Sequence, residues 1–342
     1  MVMMFLKAII GVVITQVRVL GCVLLLGCFI CGTTNVLADD LVAENEKFKL
    51  IQLDRAKSAG VLSEEYLDDH YDAGQIAELN GRSVFSKGEV VAIPHVPINP
   101  FGVYAQRTRL MPILCYHQFV AGTSAARQLQ VSAADFERQM AYLHAEGYQV
   151  IPLKKVLSIL QGKSSVPPKT VVLTIDDGYR SVYEVAYPIL KKYGFSATLF
   201  VYTDFVGGAA ALSWSQIKMM SESGVIDVES HTKSHSNLSF DTESENLEAH
   251  QTRVAKEIDM AAKVIKRHIG QTPTILAYPY GKSSPHVSKY LQQADYQMAL
   301  TVKRGANPAY ADPYLLQRTM IYNYHSLADF KKFLTTSTAN SR

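Results

Sequence analysis

Beyond Leu110, short apolar runs alternate with segments of helical periodicity, and this alternation is the feature that most restricts the fold. The predicted strands are Pro112–His117, Thr170–Ile175, Ala197–Val201, Ile226–Ser230, Ile275–Tyr278 and Met298–Val302. The predicted helices are Ala133–Glu146, Leu153–Leu160, Val182–Tyr193, Gln216–Ser223, Leu247–His268 and Leu327–Leu334. Such alternation is typical of parallel strands joined by crossover helices. We therefore expect an α/β fold, either a barrel or an open sheet, with ligands at the carboxyl ends of the strands.

Ionisable side chains follow two of these strands directly. Asp176 and Asp177 come after one strand, and His231 and His235 come after another. Adjacent buried carboxylates repel each other and lose hydration, so a cation shared with the histidines would stabilise them. Two imidazoles and one carboxylate with an open position are typical of a hydrolytic metal site, and zinc fits best. The alternative is that the carboxylates form a turn and the histidines lie on the surface.

Other strand ends add further candidate groups. The run Met-Pro-Ile-Leu-Cys-Tyr ends at His117, which supplies another imidazole or is a structural histidine. The run Ala-Tyr-Pro-Tyr-Gly contains Tyr278 and Tyr280, an aromatic turn whose backbone N–H groups could face a ligand. Trp214 either stacks on a sugar ring, as a substrate-binding residue would, or simply begins a helix. Tyr278 is a second candidate for substrate binding.

Three motifs in order resemble the polysaccharide deacetylase family with its NodB homology domain. They are Thr-Ile-Asp-Asp-Gly-Tyr, Ser-His-Thr-x-x-His and Ala-Tyr-Pro-Tyr-Gly, and the resemblance extends from about Leu110 to Leu334. The run that ends at His117 further resembles the branch with poly-β-1,6-N-acetylglucosamine deacetylases. The resemblance implies a deformed (β/α) barrel of seven or eight strands. It also implies metal-dependent hydrolysis of N-acetyl groups.

The resemblance also implies a role for each matching residue. Asp177, His231 and His235 match the metal ligands, Asp176 the general base, His117 the general acid and the Tyr280 backbone N–H the group that holds the oxyanion. These roles suit amide hydrolysis, because a metal activates water while separate groups accept and donate protons. The arginine that often precedes the third motif is absent here. Arg318 either replaces it or is a surface residue.

The N-terminal segment, residues 1–38, is typical of an export signal. It contains Lys7 and Arg18, no acidic residue, and the apolar run Val19–Ile30. The run is short for a membrane span. Leu-Leu-Gly before Cys28 also resembles a bacterial lipobox. A cleaved signal, a lipoprotein and an uncleaved anchor are all open, and each predicts an exported protein in the periplasm or cell envelope of a bacterium.

Residues 39–94 form a predicted small module that ends in the strand Val90–Pro94. The stretch Gln75–Gly81 and that strand are similar to the second half of a LysM domain, a module that binds N-acetylglucosamine chains. The alternative is a structural N-terminal extension. Spaced prolines then predict a stiff linker over residues 95–109. The catalytic domain is expected over residues 110–336.

Charge and cysteine content exclude several classes of protein. The chain has 34 basic and 31 acidic residues, and two of the basic ones, Lys7 and Arg18, belong to the predicted signal. The nearly balanced remainder indicates no nucleic-acid partner. Of four cysteines, only Cys115 lies beyond the signal, so we expect no internal disulfide. Its apolar neighbours predict a buried, unreactive thiol.

The leading interpretation is an exported, metal-dependent deacetylase acting on an N-acetylhexosamine polymer, either peptidoglycan or a poly-N-acetylglucosamine exopolysaccharide. One alternative keeps the site and removes O-acetyl groups from another polysaccharide. Another is a glycan-binding protein with an inactive barrel, and a third is an aspartate-only hydrolase without metal. The intact set Asp176, Asp177, His231 and His235 argues against an inactive barrel.

Overall fold

The computed structural model of the protein describes residues 39–67, 73–97, 99–240, 243 and 245–339. The predicted export signal, residues 1–38 with Cys28, lies outside the described residues, so its fate stays a prediction. Within the described part of the chain, no helix has both the length and the apolar character needed to cross a bilayer.

Strands and helices alternate over most of the described chain. The strands are β1 (Asp40–Glu44), β2 (Phe48–Gln52), β3 (Lys57–Ser58), β4 (Val84–Phe85), β5 (Val90–Pro94), β6 (Arg107–Arg109), β7 (Met111–Tyr116), β8 (Gln118–Val120), β9 (Gln130–Ser132), β10 (Gln149–Val150), β11 (Thr170–Asp177), β12 (Ala197–Val201), β13 (Ile226–Ser230), β14 (Ile275–Ala277), β15 (Met298–Leu300), β16 (Ala306–Asn307), β17 (Thr319–Met320) and β18 (Ser337–Ala339). The helices are α1 (Ala59–Leu67), α2 (Ala73–Asn80), α3 (Ala133–Ala145), α4 (Leu153–Leu160), α5 (Tyr187–Tyr193), α6 (Trp214–Glu222), α7 (Leu247–Ile269), α8 (Pro285–Gln293) and α9 (Leu327–Phe333).

The main sheet is strongly curled and has the strand order β15-β14-β13-β12-β11-β7-β16. Its central strands are parallel, β16 pairs antiparallel with β7, and two short strands, β10 and β17, pair parallel with β11 and β7. Every residue of β7 and β11 is buried, as expected for strands covered on both faces. The predicted deformed barrel of seven or eight strands is confirmed, with seven strands along the main path.

The predicted elements differ from the structure mainly at their ends. β11 continues through Asp176 and Asp177, while Tyr278 and Val302 fall just beyond their strands. The predicted helix Val182–Tyr193 begins as a π-helical turn over Val182–Ala186 and becomes α-helical only in α5. Pro188, at the start of α5, lacks the N–H that a continuous α-helix would need there. The π-turn accommodates that break.

Residues 39–94 form a small layer of sheet and helix. β2 pairs antiparallel with β1 and β5, and the two helices α1 and α2 lie between β2 and β5 along the chain. The core of this part contains Ile51, Leu62, Ile76, Phe85, Val91 and Ile93, all buried. The predicted linker over residues 95–109 contains a short strand at its end, because β6 occupies Arg107–Arg109 and pairs antiparallel with β18.

Candidate active site

The candidate side chains gather at the carboxyl edge of the curled sheet. β11 ends with Asp176 and Asp177, β13 leads into His231, and β7 leads into His117. Gly178 follows β11 with φ of +94°, a left-handed conformation that favours glycine. The parallel register aligns Asp177 with Val201 at the end of β12. The edge where ligands were expected is therefore where these groups meet.

Asp177, His231 and His235 form a compact donor set. The Nε2 atoms of both histidines lie 3.7 Å from Asp177 Oδ1, and all three ligand atoms lie within 4.8 Å of one another. Two ligands bound tetrahedrally to zinc at ~2.0–2.2 Å are separated by roughly 3.3–3.6 Å. The observed spacing therefore fits a divalent metal after a small contraction.

The orientation and protonation of His231 suit a metal ligand. Its Nδ1 lies 2.8 Å from the Ala277 carbonyl oxygen, which accepts a hydrogen bond from the Nδ1–H tautomer and leaves Nε2 with a lone pair. Burial lowers the pKa of His231 to about 4, although the Asp176 carboxylate opposes this effect. The ring is therefore neutral near pH 7, as metal binding requires.

The two adjacent carboxylates have opposite environments. Burial alone raises the pKa of Asp176, but the Arg318 guanidinium holds it well below the usual range. The guanidinium is fully buried and donates from both terminal nitrogens to the two Asp176 oxygens, at 2.7 and 2.8 Å. Burial, and next the Asp176 charge, raise the pKa of Asp177 to about 7. Pairing with Arg318 thus makes Asp176 the ionised member of the pair.

His117 lies beside Asp176, and one of its ring nitrogens has no hydrogen-bond partner within the described residues. Ligand atoms of His117, Asp176 and Cys115 lie within 4.8 Å of one another, and Cys115 Sγ is 3.5 Å from Asp176 Oδ2. Within the described residues, the buried His117 Nδ1 has no hydrogen-bond partner. Burial lowers the pKa of His117 despite Asp176. Cys115 is fully buried, as predicted, and burial raises the pKa of its thiol.

The backbone is strained around these groups. Asp177, Thr232, His235 and Tyr280 are four of the six non-glycine residues with positive φ in the described chain. Such conformations cost about 1–3 kcal/mol each and collect at functional sites, where surrounding contacts enforce them. The strain at this edge therefore supports a functional assignment independently of the side chains.

Glu257, on α7, was not anticipated from the sequence. Its buried carboxylate accepts hydrogen bonds from the Ser234 N–H at 2.8 Å and from the Ser234 hydroxyl at 2.7 Å. Ser234 lies in the strained turn between His231 and His235. Glu257 thus holds the metal-binding turn from the outside.

Aromatic rings flank the donor set. The His235 ring lies 4.7 Å from the Tyr280 ring and 5.2 Å from the Tyr202 ring, measured between centroids. Tyr280 is 63% exposed, so its side chain borders the opening of the site. Burial, and next the Asp177 charge, raise the pKa of Tyr202 to about 12. Tyr202 is a further residue that the sequence pattern did not single out.

Two predicted substrate contacts lie elsewhere. Tyr278 is fully buried, and its hydroxyl donates to the Tyr314 carbonyl at 3.0 Å, so its side chain packs in the core and cannot face a substrate. Its position just after β14 explains the difference, because the site-facing part of that turn is Tyr280. The Trp214 ring stacks on His268 at 4.4 Å, and Ser213 caps the helix that Trp214 begins. The structure does not bring Trp214 to the donor set.

The site has an ionised, buried carboxylate beside two histidines and a second carboxylate, at the carboxyl edge of a curled parallel sheet. This arrangement fits the class of metal-dependent hydrolases. Comparison with known proteins agrees with this class. A family model described as polysaccharide deacetylase matches residues 163–299, a range that contains Asp176, Asp177, His231 and His235. His117 and Arg318 lie outside that range.

The chain is 32% identical over 219 residues to Bacillus subtilis YxkH, which carries the name of a polysaccharide deacetylase. This match covers 64% of the chain and 74% of YxkH. The chain is 26% identical over 208 residues to the poly-β-1,6-N-acetyl-D-glucosamine N-deacetylase of Staphylococcus aureus strain MRSA252, covering 59% and 71%.

Two solved structures share the fold at 26% identity. The Streptococcus pyogenes deacetylase PplD has a TM-score of 0.59 and covers 66% of this chain and 98% of its own. IcaB from Ammonifex degensii has a TM-score of 0.58 and covers 66% and 96%. The chain therefore belongs to the polysaccharide deacetylase family and is a deacetylase, in the branch that the sequence motifs indicated. This family is metal-dependent, and the donor set of this chain fits such an ion.

Proposed function

We propose that this protein is an exported hydrolase that removes N-acetyl groups from an N-acetylhexosamine polysaccharide, either poly-N-acetylglucosamine or peptidoglycan. The observation that carries the proposal is the Asp177–His231–His235 donor set beside an ionised Asp176. The similarity to a poly-β-1,6-N-acetyl-D-glucosamine N-deacetylase supports the first polymer. The composition of residues 1–38 supports export.

Asp177, His231 and His235 would hold the metal, and zinc best matches two imidazoles and one carboxylate. When bound, such an ion acidifies water and polarises an amide carbonyl. Asp176 accepts the proton of the attacking water, and the Arg318 fork keeps its carboxylate ionised and fixed in orientation. The Tyr280 backbone N–H is assigned to the developing oxyanion.

His117 is assigned to protonation of the departing amine. Its ring is neutral in the free protein, because burial lowers its pKa, so it must gain a proton before it can deliver one. Asp176 holds the proton taken from water and lies within 4.8 Å of a His117 ring nitrogen. Transfer from water to Asp176, then to His117 and then to the amine balances the reaction without a further acid.

Residues 39–94 favour a second, non-catalytic function. Two helices lie between the paired strands β2 and β5, and this arrangement supports the proposed LysM-like module. Under this proposal the module binds N-acetylglucosamine chains and keeps the polymer near the deacetylase site.

The test is acetate release from β-1,6-linked N-acetylglucosamine oligomers and from purified peptidoglycan. The purified full chain is compared zinc-loaded, chelated, and as Asp176→Asn. Asp40→Asn is the matched control, because Asp40 is an exposed aspartate on β1. We expect release from at least one polymer that requires both zinc and Asp176, with Asp40→Asn unchanged.

Each contrary outcome contradicts a defined part of the proposal. Release that survives chelation would mean that the ligand assignment is wrong. Absence of release from both polymers, despite bound zinc, would contradict N-deacetylation of these substrates and favour O-acetyl esters or glycan binding. Release by Asp176→Asn at the wild-type rate would remove Asp176 from the role of base.

A further inference from the structure

Three tyrosines in the described chain expose more than three-fifths of their side chains: Tyr280, Tyr310 and Tyr324, at 63%, 63% and 64%. Tyr280 follows β14 and Tyr324 follows β17, so both lie at the carboxyl edge that carries the active site. Tyr310 follows the antiparallel strand β16 and lies at the opposite edge. Exposed aromatic rings lose the free energy of burial, so two of them at the edge of a deacetylase site indicate a ligand surface.

The chain at the end of β17 is hydrogen-bonded to Cys115, a residue that contacts the Asp176 carboxylate. Met320 is aligned with Cys115 in the β7–β17 pair, and the Ile321 N–H donates to the Cys115 carbonyl at 2.9 Å. Cys115 Sγ in turn lies 3.5 Å from Asp176 Oδ2. The residues that follow Ile321 therefore emerge at the rim of the active site.

Hydrogen bonds hold this rim segment in one conformation. The Asn323 N–H donates to the Gln128 carbonyl, and the Asn323 amide donates to the Ala125 carbonyl, both at 3.1 Å. The Tyr322 N–H donates to His325 Nδ1 at 3.1 Å. Rigid presentation of a ring lowers the entropy lost on binding.

The two tyrosines of the segment form one surface. The Tyr322 and Tyr324 rings are 5.3 Å apart and nearly parallel, at 21°. A cavity of about 150 Å³ adjoins them, and Val302 is also part of its lining. Val302 packs against Gly281, where an added Cβ would lie 2.4 Å from Val302 Cγ2. Val302 therefore lines this cavity and also contacts the turn that carries Tyr280.

We propose that Tyr322 and Tyr324 form a sugar-binding subsite that holds a pyranose ring of the polymer beyond the one that is deacetylated. The proposal rests on the proposed function and adds where a neighbouring sugar binds. The apolar C–H face of a pyranose packs on a tyrosine ring, while the phenol hydroxyl bonds to sugar hydroxyls. The subsite therefore selects for chain length and leaves the chemistry at Asp176 unchanged.

The first experiment measures binding without turnover. In full-length Asp176→Asn protein, the Kd of a β-1,6-linked N-acetylglucosamine hexamer and dimer is measured by calorimetry. We expect Tyr324→Ala to weaken hexamer binding about three- to tenfold and to leave dimer binding unchanged. Tyr324→Trp retains hexamer binding, and Tyr310→Ala is the matched control because it removes an equally exposed tyrosine from the opposite edge.

The second experiment measures deacetylation by the zinc-loaded protein with Asp176 intact. Tyr324→Ala should raise KM for the hexamer, leave kcat unchanged, and leave hydrolysis of 4-nitrophenyl acetate at the wild-type rate. A hexamer Kd that Tyr324→Ala leaves within twofold of its parent would overturn the subsite, as would absence of hexamer binding. Length-dependent binding that needs Tyr324, without acetate release, supports the subsite and contradicts the proposed deacetylation instead.

Discussion

Arg318→Met is the most informative single change in this protein. The Arg318 side chain is fully buried, donates to both oxygens of Asp176, and also donates from Nε to the Thr301 carbonyl at 2.9 Å. Methionine has a similar length and no charge. The variant therefore leaves the Asp176 carboxylate buried next to Asp177 without a cation.

The expected loss of stability follows from this geometry. Two unit charges ~4 Å apart interact by about 4 kcal/mol at an effective dielectric constant of 20. Removal of one partner from a buried ion pair costs about 3–5 kcal/mol, because the remaining charge has lost its hydration. We therefore expect the free energy of unfolding to fall by about 3–5 kcal/mol near neutral pH.

The contribution of Asp176 to the pH dependence of stability should change sign in the variant. In the wild type, Arg318 lowers the Asp176 pKa, so this pair contributes stability above the unfolded value of 3.8 and loses it as pH falls. In the variant, burial and the neighbouring Asp177 raise that pKa, so stability falls as pH rises. Urea unfolding at about pH 5 and about pH 8 should show a larger difference between the two proteins at the higher pH.

Arg318→Met should also change the pH dependence of catalysis. The acid limb of kcat/KM for acetate release shifts toward neutral pH, because Asp176 must be ionised to accept a proton. Arg267→Met is the matched control, since Arg267 is an exposed arginine on α7. A loss of stability below about 1 kcal/mol, or an unchanged acid limb, would refute the assigned role of the buried ion pair.

Three further results are expected. Glu257→Ala should weaken zinc binding by the full chain about 10- to 100-fold in competition with a chelator, because Ser234 loses both contacts that hold the metal-binding turn. For Glu229→Gln, the free energy of unfolding relative to the wild type should increase between about pH 5 and pH 8, by up to ~3 kcal/mol, as measured by urea unfolding. Burial raises the pKa of Glu229 in the folded protein to about 7, from 4.5. The unfolded wild type therefore ionises first as pH rises, and the folded state loses stability over that range. Glutamine does not ionise, and its side-chain oxygen can still accept hydrogen bonds from the Thr274 and Ile275 N–H groups. Asp177→Asn should abolish zinc-dependent acetate release and lower zinc affinity, because an amide is a weaker ligand than a carboxylate.

A control variant and defined contrary outcomes separate these effects from a general loss of folding. Glu248→Ala removes an exposed glutamate from the first turn of the helix that carries Glu257, and it should leave zinc affinity unchanged. Wild-type zinc affinity in Glu257→Ala would contradict its positioning role. A wild-type pH dependence in Glu229→Gln would mean that Glu229 is ionised in the folded protein. Zinc binding by Asp177→Asn at wild-type affinity would remove Asp177 from the ligand set.

Sequence patterns predicted the parts of the site that depend on local order. Asp176, Asp177, His231 and His235 each follow a strand whose apolar run is visible, and parallel strands bring those ends together. Arg318 remained an open alternative because its contact with Asp176 joins residues far apart in the chain. The structure buries Arg318 against Asp176, so the alternative of a surface residue is wrong.

Other features depend on packing that no local pattern reveals. Glu257 reaches Ser234 only because α7 packs beside β13, and an acidic residue on a long helix otherwise predicts a solvent-facing position. Tyr278 was predicted to contact substrate but is buried instead. β14 ends at Ala277, and the Tyr278 side chain that follows packs in the core against α8.

The distinction between the two aspartates follows from which positive charge each can reach. Arg318 pairs with Asp176 through both carboxylate oxygens and holds the pKa of Asp176 well below its usual range, so Asp176 is ionised near neutral pH. Asp177 faces His231 and His235 instead, and burial keeps the pKa of both rings low, so they offer lone pairs and no charge. With a pKa of about 7, Asp177 is only partly ionised near neutral pH, and a nearby cation would favour its ionised form. Under the proposed function, a divalent metal would supply to Asp177 the positive charge that Arg318 supplies to Asp176, which fits the proposed roles of Asp177 as a ligand and Asp176 as a base.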